Sequence, residues 1–435
     1  MGAKRLGLPS KSSWLALGAY LIILAAALLI ARRYANPAPP SRIVISTGAD
    51  EGDYQSYAAL YRGIIKKSGV ELVIRPASGT TENLRLLKDP SADVDVAFVQ
   101  DGLDDSDEES SLVSLGSLYY EPLWVFYPGR PGTPPLTRLS QLRGRRLAIG
   151  ERGGGTQALA QRLLKASGVD DQNSRLLNMS YVQAVQALRK GELDAGFFLT
   201  TADDDLIKPM LADPNLRLMS IDQAEAITRQ MPFLHHLVLP HGAIDLQANL
   251  PAEDVHLVAS TATLVARDSL HPALIDLLLL AATEVHSEPG IFENKGEFPI
   301  DKDYDFRISA EAKRFYKTGE RFWLRYLPFW IANLAERFIH VVIPLLALLF
   351  PLFRTVPRLR EWWIKSGIYK RYGELKYLET QLKAASEPDK LAEQLRELDR
   401  IEERVNHMKM PVEFTEHLYV LREHIEFVRS KLTRT

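Results

Sequence analysis

The sequence predicts an α/β protein of two lobes, with an apolar segment before it and another after it, and a helical C-terminal tail. Three observations carry this prediction. Short β-rich runs alternate with helical patterns from residue 41 onward, glycine-containing loops follow strands and open helices, and two long apolar stretches bracket this region. In an open α/β sheet such loops lie at the carboxyl ends of the strands, where helix N-termini favour anions. The sequence therefore also predicts a ligand site built from these loops.

The first α/β unit spans residues 41–100. Arg42–Ser46 predicts a strand, and the loop after it contains Gly48 and Gly52. A helix from Asp53 is predicted by apolar residues spaced three and four apart, namely Tyr57, Leu60, Tyr61, Ile64 and Ile65. A second strand is predicted at Glu71–Ile74, and Val94–Val99 predicts the closing strand. Between them, Ser78–Asn83 opens a second helix with hydroxyl residues, which favour N-cap positions.

The second α/β block begins at Leu139, after strand-like runs in Leu112–Tyr127 and a Pro- and Gly-rich crossing at Pro128–Pro135. A glycine loop, Arg152–Gln157, precedes its first helix. The loop lacks the Lys-Ser/Thr of a P-loop and the G-x-G-x-x-G spacing of a dinucleotide site. The chain is predicted to return to the first lobe near Leu216–Asp222, then to add edge structure at Val255–Ser260 and Ala262–Ala266 and a helix through Leu274, Leu277, Leu278 and Ala281. Two crossings predict a bilobal, type II periplasmic-binding-protein-like domain.

Two loop signatures resemble those of the TAXI-type solute receptors, the extracytoplasmic binding proteins of one branch of the TRAP transporters. They are Thr47-Gly48 with Gly52-Asp53-Tyr54, and Ser78-Gly79-Thr80-Thr81-Glu82-Asn83-Leu84; the loop at Gly153–Thr156 and the segment Gly191–Phe198 are also similar. The resemblance covers roughly 41–300. The chain departs from the family's usual residues at Ala49, Gln55, Ala77, Thr80 and Gly154. The resemblance implies a carboxylate ligand, which would be an amino acid or an organic acid, glutamate-like compounds among them, and a TRAP-type permease as partner.

The predicted ligand-binding residues belong to three loops that should converge on one crevice. They are Thr47, Gly48, Tyr54, Ser78, Gly79, Thr80, Asn83, Gly154, Gly155 and Thr156. Hydroxyls of the threonines and adjacent N–H groups would hold a carboxylate, and Tyr54 and Asn83 would orient it. The alternative for each residue is plain turn-making and helix capping. Arg75 is a candidate counter-charge, with a surface arginine as the alternative.

Two segments of the chain, one before the receptor region and one after it, are predicted to span a membrane. Trp14–Ala31 is apolar or small for the length of a bilayer core, and Arg32-Arg33 stands where a cleavage site would need small residues, which favours an anchor over a signal peptide. A second span, residues 331–354, is followed by a basic flank. The predicted organisation is an anchor in 1–33, a Pro-rich spacer in 34–40, lobe 1 in 41–127 and 217–300, lobe 2 in 128–216, a juxtamembrane segment in 301–330, and a cytoplasmic tail in 355–435.

The tail carries two apolar stripes and predicts an α-helical hairpin or bundle. The stripes are Leu391, Leu395, Leu398, Ile401 and Val405, then Leu418, Leu421, Ile425, Val428 and Leu432. With basic flanks inside, both termini would be cytoplasmic and the receptor domain would face the periplasm of a bacterial inner membrane. The tail would pack on itself, on another subunit or on a cytoplasmic protein.

Composition and motifs argue against catalysis. With 435 residues, 46% of them hydrophobic, the chain can bury a full core, and a net charge of −2 suggests no nucleic-acid partner. The absence of cysteine excludes disulfides, thiol catalysis and Cys-ligated metals. No nucleophile elbow or metal-ligand spacing occurs, so no cofactor or metal is expected, and the acidic run Asp101–Glu109 predicts a solvated loop. The prediction is a membrane-tethered solute receptor; the alternatives are a transmembrane sensor or scaffold, and a structural protein with a degenerate pocket.

Overall fold

A computed structural model describes residues 38–48, 52–103, 111–129, 132, 134–322, 326–382, 388–408, 410 and 412–434. The chain divides into two compact units, Pro37–Glu336 and a second that includes Arg337–Thr435. The larger unit contains every strand of the described residues, and the smaller one is helical where it is described.

The first lobe of the larger unit is built on three parallel strands. These are β1 (Arg42–Ser46), β2 (Glu71–Arg75) and β3 (Val96–Gln100), and β1 lies between the other two. Helices α1 (Asp53–Lys66) and α2 (Thr80–Lys88) connect them. All five elements were predicted from the sequence, and the structure confirms them. The prediction for Leu60 was wrong: it is 54% exposed, because α1 buries the face that carries Ala58, Tyr61 and Ile65.

Two long strands continue the sheet from the first lobe into the second. β4 (Leu112–Pro128) pairs with β10 (Val255–Arg267) as far as Pro122, and from Leu123 it pairs with β7 (Ala195–Leu199). The change of partner therefore falls inside β4, earlier in the chain than the Pro- and Gly-rich segment that the sequence suggested as the crossing. The strand order is β2-β1-β3-β10-β4-β7-β5-β6.

The predicted edge structure around residues 255–266 is instead one central strand. β10 lies antiparallel between β3 and β4, and all of its residues from Leu257 to Ala266 are buried. The small and hydroxyl side chains between Ala259 and Thr263 fit this crowded position, since they allow the neighbouring layers to approach closely. β9 (His235–Leu239) adds to the other part of β10.

The second lobe repeats the parallel pattern on a smaller scale. Its strands are β5 (Arg146–Ala148), β6 (Arg175–Leu177) and β7, with β8 (Leu216–Leu218) antiparallel to β4. Its helices are α3 (Gly155–Ala166), α4 (Tyr181–Arg189), α5 (Ile207–Leu211) and α6 (Ala224–Gln230), with a 3-10 turn at Leu139–Leu142. Two hydrophobic clusters cover the two faces of this sheet, one around Leu147 and Phe197 and the other around Trp124 and Phe198.

Two further helices pack on the first lobe. α7 (Pro272–His286) buries eight apolar side chains and His286 along most of its length. α8 (Ala310–Thr318) lies against α7. Asp276 of α7 is fully buried and is ion-paired with Arg314 of α8 and with Arg321. A buried carboxylate is tolerated when it is paired in this way, so the pair fixes the segment after residue 310 to the lobe.

The C-terminal unit contains a three-helix arrangement. α9 (Phe329–Leu382) enters it from the larger unit, and α10 (Pro388–Asn406) and α11 (Thr415–Arg434) complete it, with a 3-10 turn at Val412–Phe414 between them. One core joins all three, through Ile368, Leu375, Leu378, Leu398, Ile401, Val405, Leu418, Leu421, Ile425 and Val428. The predicted bundle is confirmed, and the end of α9 supplies the third face that the two apolar stripes share.

Neither predicted membrane span is supported by the described residues. The first, Trp14–Ala31, lies outside them. The second, residues 331–354, lies within α9, and no helix in the described part of the chain is both long and apolar enough to cross a membrane.

Candidate functional site

The two lobes meet through two glycine loops. Gly79, at the start of α2 in the first lobe, has a φ of +125°, which an L side chain rarely adopts. A Cβ placed on it would lie 3.6 Å from the Cα of Gly154 and 3.8 Å from the backbone nitrogen of Gly155, at the start of α3 in the second lobe. The first N–H groups of a helix have no intrahelical partner, so two helix N-termini face one place.

Gly155 of the second lobe packs against Gln100 of the first lobe. A Cβ there would lie 2.1 Å from Oε1 of Gln100, the last residue of β3, and 3.8 Å from Oγ1 of Thr80. Gln100 is buried, and its Nε2 has no hydrogen-bond partner among the described residues. Because an unpaired buried donor is costly, this nitrogen marks a position where an acceptor is missing.

Several predicted ligand residues use their polar atoms inside the protein. The Thr47 hydroxyl donates to Oε1 of Gln55 at 2.7 Å. Asn83 accepts from the Ser46 hydroxyl at 2.6 Å and donates to the carbonyl oxygen of Phe98 at 2.8 Å. These bonds make Asn83 a brace between α2, β1 and β3.

Of the other predicted residues, Ser78 and Thr80 lie at the loop contact, and Gly48 and Arg75 lie away from it. Thr80 accepts from the backbone N–H of Gln100 at 3.0 Å, and Ser78 is exposed, with its N–H donated to Glu82 at 2.7 Å. Gly48 packs beside the Tyr54 ring, where an added Cβ would lie 3.7 Å away. Arg75, the candidate counter-charge, is exposed at the end of β2.

On the second lobe, Thr156 contacts a tyrosine that the sequence did not single out. Its Oγ1 lies 2.6 Å from the hydroxyl of Tyr181, which donates to the carbonyl oxygen of Leu199 at 2.8 Å. A phenol has one hydrogen, so Thr156 is the donor in its own pair with Tyr181. Burial raises the pKa of Tyr181, and the charges of Glu121 and Asp53 add to the rise. The Tyr181 hydroxyl is therefore held by Thr156 and Leu199, within the electrostatic influence of both carboxylates.

Two carboxylates in the site, the buried Glu121 and the half-buried Asp53, were not predicted as ligand residues. Glu121 lies on β4 next to the point where the strand changes sheets, and it is 5% exposed. Burial, and then the charge of Asp53, raise the pKa of Glu121 to about 8. The Tyr54 hydroxyl donates to its Oε2 at 3.3 Å. A single carboxylate within the otherwise apolar run of β4 was the signal available in the sequence.

Asp53 joins the lobes. At the first turn of α1, it accepts from the hydroxyl of Thr200 at 2.8 Å and from the N–H of Thr201 at 3.0 Å, just beyond β7. The Thr200 hydroxyl also lies 2.6 Å from Asp204, and its one hydrogen can serve one carboxylate at a time. Burial raises the pKa of Asp53 against the opposing effect of these hydrogen bonds.

Aromatic rings cover the first-lobe side of these acids. Tyr54 stacks on Phe98, with ring centroids 5.3 Å apart, and Tyr57 contacts Tyr119 at 4.7 Å. Burial raises the pKa of Tyr54 well above its ordinary value, with the charge of Glu121 as the next cause. His286 completes the aromatic cluster, stacked on Tyr119 at 5.2 Å, and burial lowers its pKa to about 3, so it is neutral.

Metal chemistry finds no support in the described residues, since no group of three or more His, Asp or Glu there could hold an ion. His235 and His236 are adjacent in β9, and Nε2 of His236 lies 2.9 Å from Nδ1 of His256. What the geometry offers is a closed polar site between lobes, with helix N-termini at one end and carboxylates at the other.

The sheet order, the two crossing strands and the facing glycine loops define a bilobal α/β protein with the type II periplasmic-binding-protein fold. The chain belongs to the NMT1-like family, whose model matches residues 45–286.

The chain is also similar to solved structures, and three of these contain a bound small molecule. The alkanesulfonate-binding protein SsuA from Xanthomonas axonopodis pv. citri, bound to MOPS, is 14% identical over 57% of this chain and 74% of its own, with a TM-score of 0.37. The amino acid transporter substrate-binding protein AbpA from Streptococcus pneumoniae, bound to L-arginine, is 15% identical over 56% and 89%, with a TM-score of 0.36. The BenM effector-binding domain with benzoate is 14% identical over 58% and 95%, with a TM-score of 0.39.

Proposed function

We propose that this protein is a solute receptor that encloses a small carboxylate or amino acid between its lobes and performs no chemistry on it. The observation that carries the proposal is the meeting of the two helix N-termini at Gly79 and Gly154, beside the unpartnered Nε2 of Gln100. Three sources of N–H groups thus converge on one place, which is the arrangement that recognises a carboxylate.

Bonds between the lobes give the receptor a means of closing on its solute. Asp53 accepts from Thr200 and Thr201, and Arg162 of α3 donates to the carbonyl oxygen of Gly102 at 2.6 Å. These pairs connect the two lobes across the site and would be broken on opening. A solute that binds both lobes would favour the closed state by its differential affinity for it.

A ligand screen on the full-length chain, purified in mild detergent, tests the proposal. The panel contains organic acids, amino acids and alkanesulfonates, and unfolding of the receptor unit is followed by thermal shift. A solute at 100 times its dissociation constant should stabilise the folded unit by roughly 2.7 kcal/mol. Absence of a shift with every compound would contradict the receptor function and favour a degenerate site.

The receptor is proposed to act at a bacterial inner membrane, for a TRAP-type permease. Support for the tether comes from the apolar run Trp14–Ala31, and support for the permease comes from the loop signatures described above. Deleting residues 1–33, while supplying a cleavable signal peptide, should move the chain from the membrane fraction to the periplasmic fraction. Recovery of the intact chain in the soluble fraction would contradict the tether, and failure to co-purify with a permease encoded beside it would contradict the delivery role.

A second candidate, a sensor or scaffold, is favoured by the C-terminal bundle. Its core of residues from three helices is a folded unit that solute capture alone does not require. If the protein is a sensor, adding a solute identified in the screen should change amide hydrogen exchange in α10 and α11. Unchanged exchange in these helices would leave the transport receptor as the better proposal.

A further inference from the structure

Glu121 is a buried acid with spare hydrogen-bonding capacity inside the interlobe site. In the described part of the chain its one hydrogen bond comes from the Tyr54 hydroxyl at 3.3 Å, although a carboxylate can accept about four. Tyr119, two residues earlier on the same face of β4, has a buried hydroxyl without a partner among the described residues. Burial keeps Glu121 protonated in the free protein, and its ionisation would need a paired cation.

The protein's own cations do not fill this role in the described structure. In the described part of the chain, Glu121 and Asp53 form no ion pair with a lysine, arginine or histidine, and their side-chain partners are the Tyr54 hydroxyl for Glu121 and Thr200 and Thr201 for Asp53. Arg162, on the facing helix, is bonded to Gly102 and lies over the Phe233 ring at 4.9 Å. The positive charge therefore has to come with the ligand.

The surroundings of Glu121 suit an ammonium group. Tyr54, adjacent to Asp53 in the chain, contacts Glu121 through its hydroxyl and stacks on Phe98, and Tyr119, two residues before Glu121, packs on Tyr57. Aromatic faces attract cations, and the attraction grows when water is excluded. Carboxylates and tyrosine rings together are a typical environment for a protonated amine.

We propose that Glu121 and Asp53, with the rings of Tyr54, Tyr57 and Tyr119, form a subsite for a protonated amine of the solute. The solute would then be an amino compound, and its acidic group would lie at the opposite end, against Gln100 and the two helix N-termini. An organic acid without an amine would leave Glu121 unpaired. This inference rests on the proposed receptor function and narrows its substrate class.

Pairs of probes that differ by one amino group test the subsite. Calorimetric titration of the full-length chain would compare L-glutamate with glutarate, L-alanine with propionate, and L-valine with isovalerate. For the pair that binds, the amino member should bind at least tenfold more tightly. Equal or tighter binding of the acid without the amine would overturn the subsite but leave the receptor function standing. No binding by any probe, including sulfonates and simple amines, would contradict both.

Proton release separates the subsite from a merely structural role. A cation that pairs with Glu121 would displace its proton, so binding at pH 7 should release a proton, seen as a dependence of the measured heat on the buffer. The titratable groups that interact electrostatically with Glu121 are Asp53 and Tyr54 from α1, Asp101 beyond β3, Tyr119 of β4 and Tyr181 of α4.

Substitution of Glu121 by Gln keeps the shape and removes the charge. Glu121→Gln should lose the tenfold preference for the amine and most of the proton release. Glu71→Gln, at an exposed position on the edge strand β2, is the matched control and should keep both. A Glu121→Gln protein that retains the preference and the proton release would refute the role of Glu121.

Discussion

The two ends of the interlobe site are built differently. At one end, loops at Gly79 and Gly154 bring the N-termini of two helices together through backbone groups. At the other end, Glu121 and the tyrosines project from β4 and α1, and the chemistry lies in side chains. The first end depends on the absence of Cβ atoms, and the second depends on a charge held in a buried place. Recognition at the first end therefore depends on backbone shape, and recognition at the second end depends on electrostatics.

The side-chain end should have the largest measurable energetic effect. The folded-state pKa of Glu121, about 8, lies above its ordinary value of 4.5, so the folded protein favours the protonated form. The stability contributed by this group is complete below pH 4.5 and falls as the pH rises towards 8. Glu121→Gln removes that loss, and without ligand it should stabilise the receptor unit by about 3 kcal/mol at pH 7.

The check is the difference in unfolding midpoint between Glu121→Gln and the parent chain, measured from pH 4 to pH 9. This difference should grow from pH 5 to pH 8 and then level off. Glu71→Gln should show no such growth, because its side chain is exposed. A difference that does not change with pH would mean that Glu121 is ionised and paired in the free protein, and the distinction between the two ends would fail.

The backbone end should respond to added volume. Gly155→Ala adds a Cβ that would lie 2.1 Å from Oε1 of Gln100. This distance is too short for two unbonded atoms, so the buried carboxamide has to move. Overpacking of this kind typically costs 1–3 kcal/mol, and a cost of about 2 kcal/mol in the closed state would weaken solute binding about 30-fold. Calorimetric titration with the solute found in the screen measures it.

Gly63→Ala is the matched control for Gly155→Ala. Both glycines are helical, and nothing lies within 4 Å of a Cβ built on Gly63. The control should bind solute normally and be slightly more stable, because alanine favours the helix more than glycine does. Normal binding by Gly155→Ala would show that the site tolerates side-chain volume between the loops, and that the backbone contact is not part of recognition.

The sequence allowed the backbone end to be predicted more fully than the side-chain end. Glycine and hydroxyl residues between a strand and a helix are a local signal, so the loops at Thr47, Ser78 and Gly153 could be found directly. Which polar groups remain available depends on tertiary contacts. The brace made by Asn83 to Ser46 and Phe98 joins elements that are separate in sequence.

Glu121 and Asp53 were not predicted as site residues for the same reason. Period-two alternation gives the face of a strand, but the point where β4 changes sheets follows from its pairing with β10 and β7. That pairing puts Glu121 between the lobes. In the same way, the sequence shows Asp53 only as an acidic residue in the first turn of a helix, where such residues are common. Its contacts with Thr200 and Thr201 follow from the tertiary structure.

The smallest expected effect lies where the lobes are bonded to each other. Thr200→Val keeps the shape of the side chain but removes the hydroxyl that Asp53 and Asp204 share, while the N–H of Thr201 remains bonded to Asp53. Loss of one of two such bonds should cost the closed state about 1 kcal/mol and weaken solute binding about fivefold. Thr318→Val is the control, since the Thr318 hydroxyl bonds the Arg314 carbonyl on an exposed turn. If Thr200→Val weakens binding as much as Gly155→Ala, the contact between the lobes contributes as much as the loops, and closure belongs to recognition at both ends of the site.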